Sequence, residues 1–327
     1  MPDRLTAIPV VDLSHLHIPD LRENVVQTIG RAFEEIGFVY IKTPGVSAML
    51  PPTYSAFSEV FHLPEVVKRK YERAEVGWQR GWAPIGTEEA IFCRIKNIRE
   101  NLPRKGNQYE WWFIGPEIDP DHHLAKKFFE IYPQNVWPNE VPEFQRVMTA
   151  LYNKLCGYGP EILSAAGEYI GRPQGHYEEM AKDSPTVMRA LYYPAGSKPP
   201  LACQHTDINL VTILPPATRS WLFVKPRWAR TDDDVWIHAQ SSQPDLSLAQ
   251  VGIQLEHDSA GRYLAADHKV EAPSYPTPED RFSAALFLHT RSDVTIRPKG
   301  PNPVYWVTTA AALLRKTLVD IKILPRY

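Results

Sequence analysis

Charge imbalance, cysteine and long apolar runs are all scarce in this chain, and each scarcity excludes a class of protein. Lys and Arg number 36 against 38 Asp and Glu, a formal net charge of −2. That leaves no electrostatic footprint for nucleic acid or an acidic membrane. Three cysteines (Cys93, Cys156, Cys203) among 327 residues do not make a disulfide framework, and none lies in a CxxC pair of the kind that builds thiolate zinc sites. A reducing, cytoplasmic setting is therefore expected. No run approaches the roughly 18 apolar residues of a membrane span. The opening MPDRLTAIPVVDLS has no basic segment followed by an apolar core, so no secretory leader is expected. Internal repeats and low-complexity tracts are missing too, and the 31 prolines read as punctuation between short segments.

What is present is an ordinary globular composition. Hydrophobic residues make up 43% of the chain, enough for a large core. In the first half, Val25, Ile29, Ala32 and Ile36 recur at helical spacing, with Asp20 as an expected cap and Gly37 as a stop before the β-rich FVYIK. A second helix is expected over about 51–74, an irregular aromatic region over 86–118, and a long helix from about 140 to 171 bent near Gly157–Pro160. From about residue 186 the texture changes to short apolar segments separated by Pro, Gly, Asp and Ser, the pattern of a β-sandwich or barrel. No flexible boundary separates the halves. One integrated unit is expected: a mostly helical support region over 1–185, a β core over 186–300 and a C-terminal helix within 301–327.

Within the β texture, LACQHTDINLVTILPPA (201–217) sets His205 and Asp207 two positions apart in an apolar run. On a strand, residues i and i+2 share a face, so an imidazole and a carboxylate can converge on one point. By itself an HxD pair is a weak signal, since most are surface or turn residues. His268, in the alternating GRYLAADHKV, offers a third ligand. Two histidines and one carboxylate on one face of an ion match the facial triad of non-haem Fe(II) oxygenases. Further on, EDRFSAALFLHT places Arg281 and Ser283 at i and i+2, a fork and a hydroxyl suited to a carboxylate. Each feature alone has a bland reading, such as a satisfied barrel histidine or a strand-end arginine in water. Their joint order is far more specific.

With these motifs in hand, the chain resembles the isopenicillin N synthase-like branch of the Fe(II)/2-oxoglutarate-dependent dioxygenases. IPVVDLS, GFVYIKTPGVS, RGWAPIGTEEA, LYYPA and GRYLAADHKV resemble the family's segments along nearly the whole length. The resemblance implies a double-stranded β-helix (jelly roll) with packed helices. It implies Fe(II) held by His205, Asp207 and His268, and 2-oxoglutarate held through its distal carboxylate by Arg281, Ser283 and the Tyr193 hydroxyl. The expected reaction is oxidation of a small molecule by O2 with release of succinate and CO2, hydroxylation being the default outcome. Arg189 and Glu88 match positions that lie near iron and near a cationic substrate in relatives acting on arginine-like molecules. Trp78, Trp82, Trp111, Trp112, Phe113 and the bulky Trp221 are candidates for an aromatic substrate wall, while His238, His257 and His289 read as structural or surface residues.

Substrate expectations extend to an amino acid, a peptide or a secondary metabolite, with neither nucleic acid nor membrane as partner. Two other readings stay open on sequence. One is an Fe(II) oxidase or cyclase of the isopenicillin N synthase type that does not use 2-oxoglutarate. The other is a non-catalytic jelly-roll binding protein. A zinc hydrolase is weaker, because no recognisable motif places a general base.

Overall fold

Helical periodicity and its stop signals account for the first elements. The computed structural model describes residues 4–88, 107–229, 234–241, 243–298, 304–321 and 323–324. Helix α1 (Pro19–Glu35) buries Val25, Val26, Ile29, Ala32 and Phe33 on one face. Asp20 is not its cap: Ile18 holds that position and Pro19 follows it, while Asp20 sits in the first turn, where its charge complements the helix dipole. Gly37, at φ +84°, ends the helix by donating its N–H to the Ala32 carbonyl. A side chain there would also strike the Ala266 Cβ at 2.7 Å, so glycine is required on two grounds.

The strands are β1 (Val10–Val11), β2 (Phe38–Lys42), β3 (Gly81–Ala83), β4 (Glu110–Ile114), β5 (Val187–Tyr193), β6 (Ala202–His205), β7 (Val211–Leu214), β8 (Leu222–Val224), β9 (Ile237–His238), β10 (Leu246–Val251), β11 (His268–Val270), β12 (Arg281–Leu288), β13 (Thr295–Ile296) and β14 (Thr308–Thr309). After α1 come helices α2 (Val46–Phe61), α3 (Glu65–Lys68), α4 (His123–Lys127), α5 (Pro142–Cys156), α6 (Gly159–Tyr169), α7 (His176–Ala181), α8 (Ile253–Asp258) and α9 (Ala310–Asp320). Among the described residues, one sheet runs β1-β2-β10-β7-β12-β5-β4-β3 and a second runs β6-β11-β8-β9. The two face each other as the layers of a jelly roll.

Strand alternation decides which core each residue joins. On β5 and β12, Met188, Ala190, Tyr192, Phe282, Ala284 and Leu286 pack with Phe57, Phe61 and Phe144 of α2 and α5. Val187, Leu191, Tyr193 and Ala285 point the other way, into a second cluster between the sheets. Each fully buried Leu, Ile or Phe contributes roughly 1.5–3 kcal/mol, so the helices clamp one face of the large sheet while the other lines the interior.

Two expectations change. The predicted helix over 51–74 spans only Val46–Phe61, followed by α3 and short 3₁₀ turns. The supposedly irregular stretch before 118 contains β4, a strand of the large sheet. Its first residue, Glu110, accepts from Lys68 Nζ at 2.6 Å and from the Trp82 indole at 2.7 Å, a buried polar anchor that no periodicity announces. The bend in the long helix is a real break between α5 and α6 at Gly157–Tyr158. Residues 89–106, part of the region expected to be irregular, lie outside the described residues. No helix among the described residues is long and apolar enough to cross a membrane.

Candidate active site

The small sheet places the two histidines. His205 ends β6 opposite His268, which begins β11, and their rings lie 4.1 Å apart. A bulge on β6 between Ala202 and His205 lets both of those residues face the interior. Each imidazole is oriented by its own chain: Nδ1 of His205 lies 2.7 Å from the Cys203 carbonyl and Nδ1 of His268 lies 3.0 Å from that of Ala266. A carbonyl can only accept, so Nδ1 carries the proton and Nε2 offers its lone pair. His268 is only 5% exposed. Burial, and secondarily the neighbouring His205, push its pKa down to about 4, so it is neutral near pH 7.

Asp207 arrives differently from the sequence expectation. The strand stops at His205, and Asp207 sits in the turn that follows. The turn is held from α8: Ile253 N–H donates to the Asp207 carbonyl at 2.8 Å, and Gly252 N–H to that of Leu210 at 2.9 Å. Oδ2 accepts from the Thr212 hydroxyl at 2.5 Å and from the Gln250 amide, donors on β7 and β10 of the opposite sheet. Oδ1 is thereby left 4.0 Å from Nε2 of His205 and 3.9 Å from Nε2 of His268. Among the described residues these three side chains form a metal-capable cluster, with ligand atoms within 4.8 Å of one another. Two imidazoles and one carboxylate suit Fe(II). Gln204, between Cys203 and His205, lines neither this cluster's cavity nor the one beside it.

A cavity of about 1090 Å³, counting its open mouth, joins this triad to β12. Arg281 and Ser283 both line it, as expected of i and i+2. The Arg281 guanidinium lies over the Tyr193 ring at 4.8 Å and donates from Nε to the Arg219 carbonyl, while Nη1 is buried with no partner. An unpartnered guanidinium nitrogen in a residue only 4% exposed is costly unless an anion completes it.

Arg189 and Glu88 also line the cavity, but they hold each other at 3.1 Å. Tyr109 joins the pair, donating to Glu88 at 3.0 Å, and the rings of Trp111 and Phe113 lie within 4.7 Å of the Arg189 guanidinium. Burial, the largest single influence, opposes the arginine's charge, but Glu88 together with Tyr109, Asp207 and Tyr193 outweighs it, so the Arg189 pKa is raised. Trp112 lies on the other face of β4, packed against Phe144 with its indole donating to Val136. Trp221 is buried in the inter-sheet cluster and lines neither cavity. Alternation on β4 therefore turns Trp111 and Phe113, not Trp112, toward Arg189.

His289 is the residue sequence reasoning passed over. It is 6% exposed, lines the cavity and has a buried Nδ1 without a partner. The available signal was its even spacing from Arg281 along β12, continued one step beyond the strand end. Of the other two, His257 is buried, with Nε2 2.5 Å from the Trp306 carbonyl, and His238 is exposed. The apolar side of the cavity comes from Leu314 and Leu318 of α9 with Ile321 and Ile323.

Residues 8–140 match a family model described as non-haem dioxygenase in morphine synthesis N-terminal. The chain is similar to the 2-oxoglutarate-dependent dioxygenase thnC of Trichoderma harzianum, at 26% identity over 92% of this chain and 91% of that one. It is also similar to the homoarginine-6-hydroxylase 2-ODD-C23.1 of Arabidopsis thaliana, at 27% identity over 89% and 87%. A crystal structure of a 2OG-Fe(II) oxygenase family protein from Caulobacter crescentus superimposes with a TM-score of 0.79 at 26% identity, covering 97% of this chain and all of the other.

Proposed function

We infer the reaction from one premise: the chain belongs to the isopenicillin N synthase-like branch of the Fe(II)/2-oxoglutarate-dependent dioxygenases. It is an oxidoreductase whose cofactors are Fe(II), 2-oxoglutarate and O2. Our proposal is that His205, Asp207 and His268 hold the iron, and that Arg281, Ser283 and Tyr193 hold the distal carboxylate of 2-oxoglutarate. The outcome we propose is hydroxylation of a small, largely apolar molecule. When bound, iron with 2-oxoglutarate and O2 supplies an oxidant for a C–H bond, releasing succinate and CO2.

The observation that carries this reading is the shared cavity. Converging Nε2, Nε2 and Oδ1 atoms and an unpartnered buried guanidinium line one space. The protein's share of the chemistry is placement. Carbonyls at Cys203 and Ala266 fix the tautomers of the imidazoles, Thr212 and Gln250 fix the carboxylate, and the Tyr193 ring supports the guanidinium. Leu314, Leu318, Ile321 and Ile323 keep water from the substrate side.

Substrate class follows from the wall. Glu88 is already neutralised by Arg189, so a cationic substrate would have to displace a buried arginine to reach it. We therefore favour a neutral or apolar small molecule over a cationic amino acid, with the aromatic-caged pair acting as a rigid wall. The test is a screen of amino acids, small peptides and apolar metabolites, each scored by substrate-dependent succinate formation in wild type and His268→Ala. Stimulation by apolar compounds, abolished in the variant, is expected. Stimulation by arginine-like compounds alone would overturn the substrate class, and no 2-oxoglutarate turnover with any compound would overturn the co-substrate assignment.

A further inference from the structure

Arg281 and Ser283 border a second cavity of about 510 Å³, counting its open side. Its remaining wall includes Leu214, Leu246, Leu248 and Tyr40. Tyr40 is on β2, paired with Leu248 of β10, which is paired in turn with Leu214 of β7. These three therefore form one transverse row of the large sheet. Two residues earlier on the same face of β2, Phe38 packs edge-on against the His268 ring at 5.9 Å. The inward face of β2 thus runs from the metal-capable cluster to the cavity behind Arg281.

Tyr40 is 8% exposed and its hydroxyl is buried with no hydrogen-bond partner. A buried O–H without a partner leaves its desolvation cost unrecovered. Arg281 Nη1, on the same cavity, is in the same state. Burial raises the Tyr40 pKa to about 12, so the phenol stays a donor over the working pH range. Two unpartnered donors in a space whose other walls mix leucine, proline and alanine with Arg219 and the serine hydroxyls call for an acceptor-only group at the end of an aliphatic arm. A carboxylate on a short methylene chain has that chemistry.

We infer that Tyr40 donates a hydrogen bond to the distal carboxylate of 2-oxoglutarate, as a further donor beside Arg281 and Ser283. This rests on the proposed role of Arg281 and adds a residue from an element remote in sequence from the RxS strand. A phenol on β2 closes the carboxylate pocket from the side opposite β12, so the length of the 2-oxo acid is read between two strands.

The test is binding, independent of turnover. Anaerobic Fe(II)-loaded protein is titrated with 2-oxoglutarate and with 2-oxobutanoate, which lacks the distal carboxylate, following the charge-transfer absorption and the heat of binding. Loss of one hydrogen bond to a charged group predicts that Tyr40→Phe weakens 2-oxoglutarate binding about 10- to 100-fold. Affinity for 2-oxobutanoate and for Fe(II) should stay at wild-type values, and the melting temperature should not fall. Wild-type affinity for 2-oxoglutarate in Tyr40→Phe, or equal weakening of both acids, would overturn the inference. Arg281→Leu separates the two levels. If it too binds 2-oxoglutarate normally, the assignment of Arg281 fails. If it weakens binding while Tyr40→Phe does not, only Tyr40 fails.

Discussion

Thr212→Val tests whether the large sheet aims the metal-capable cluster carried by the small one. Valine keeps the volume of threonine and its β-branch, so the β7 backbone is undisturbed; what goes is the hydroxyl donated to Asp207 Oδ2 at 2.5 Å. That hydroxyl also accepts from the Asn209 amide at 3.1 Å, which would lose its partner. Both Thr212 and Asp207 are buried, so water cannot replace the lost bond cheaply. A hydrogen bond to a charged group contributes about 1.5–3 kcal/mol. At 1.4 kcal/mol per tenfold, that is about 10- to 100-fold in Fe(II) affinity, the range expected when an outer partner of a ligand is removed. Gln250 remains on Oδ2 and should keep the loss near the lower end. The assay is anaerobic Fe(II) titration of wild type, Thr212→Val and Thr212→Ser, with thermal melting of each metal-free protein. Serine retains the hydroxyl and should stay within about threefold of wild type. Undiminished Fe(II) affinity in the valine variant would refute the claim that the opposite sheet orients Asp207.

Gly252→Ala should strike the same turn through the backbone. Gly252 has φ −108°, which any residue adopts, yet a Cβ there would lie 2.1 Å from the Asn209 carbonyl oxygen. Relief requires moving the 207–210 turn, so a loss of roughly 1–3 kcal/mol of stability and weakened Fe(II) binding are expected together; a normal melting point with normal metal affinity would contradict this. Acid should destabilise the metal-free protein through His268 and His289, both held at about 4 by burial. Their folded pKa values lie below the unfolded value near 6.5, so the unfolded state binds more protons in between. Stability is then full above about pH 6.5 and is lost as pH falls toward 4. At pH 5 each histidine should account for about 2 kcal/mol. Denaturant unfolding at pH 7.5 and 5.0, with His289→Asn expected to remove about half of the loss, checks it; identical stability at the two pH values would show that neither imidazole is buried neutral.

How far the site was legible depends on the kind of signal each residue leaves. His205, His268, Arg281 and Ser283 were readable because a strand's period of two makes a polar residue in an apolar run conspicuous, and their order along the chain is distinctive. Asp207 was found for a partly mistaken reason. Its proximity to His205 comes from a turn pinned by α8, not from strand alternation. The β4 strand was missed because its apolar run EWWFI is buried on both faces and shows no alternation, and because its Glu110 anchor is a long-range contact with Lys68. Glu88 and Arg189 were read as separate contacts for substrate; their mutual pairing spans about a hundred residues and leaves no local trace.

By itself, the chain's composition and periodicity determined a large apolar core, the helical first half, the strand-rich second half and which histidine and aspartate side chains would converge. Those are local properties: hydrophobic spacing, turn residues and side-chain chemistry act within a few positions. Only the tertiary structure decided which face of β4 meets the cavity, that the Glu88 carboxylate is already neutralised, and that Tyr40 and His289 hold unpartnered polar atoms at the cavity walls. The physical reason is that a polar group's need for a partner is set by burial and by what lies across the sheet. Neither is defined until strands distant in sequence have paired.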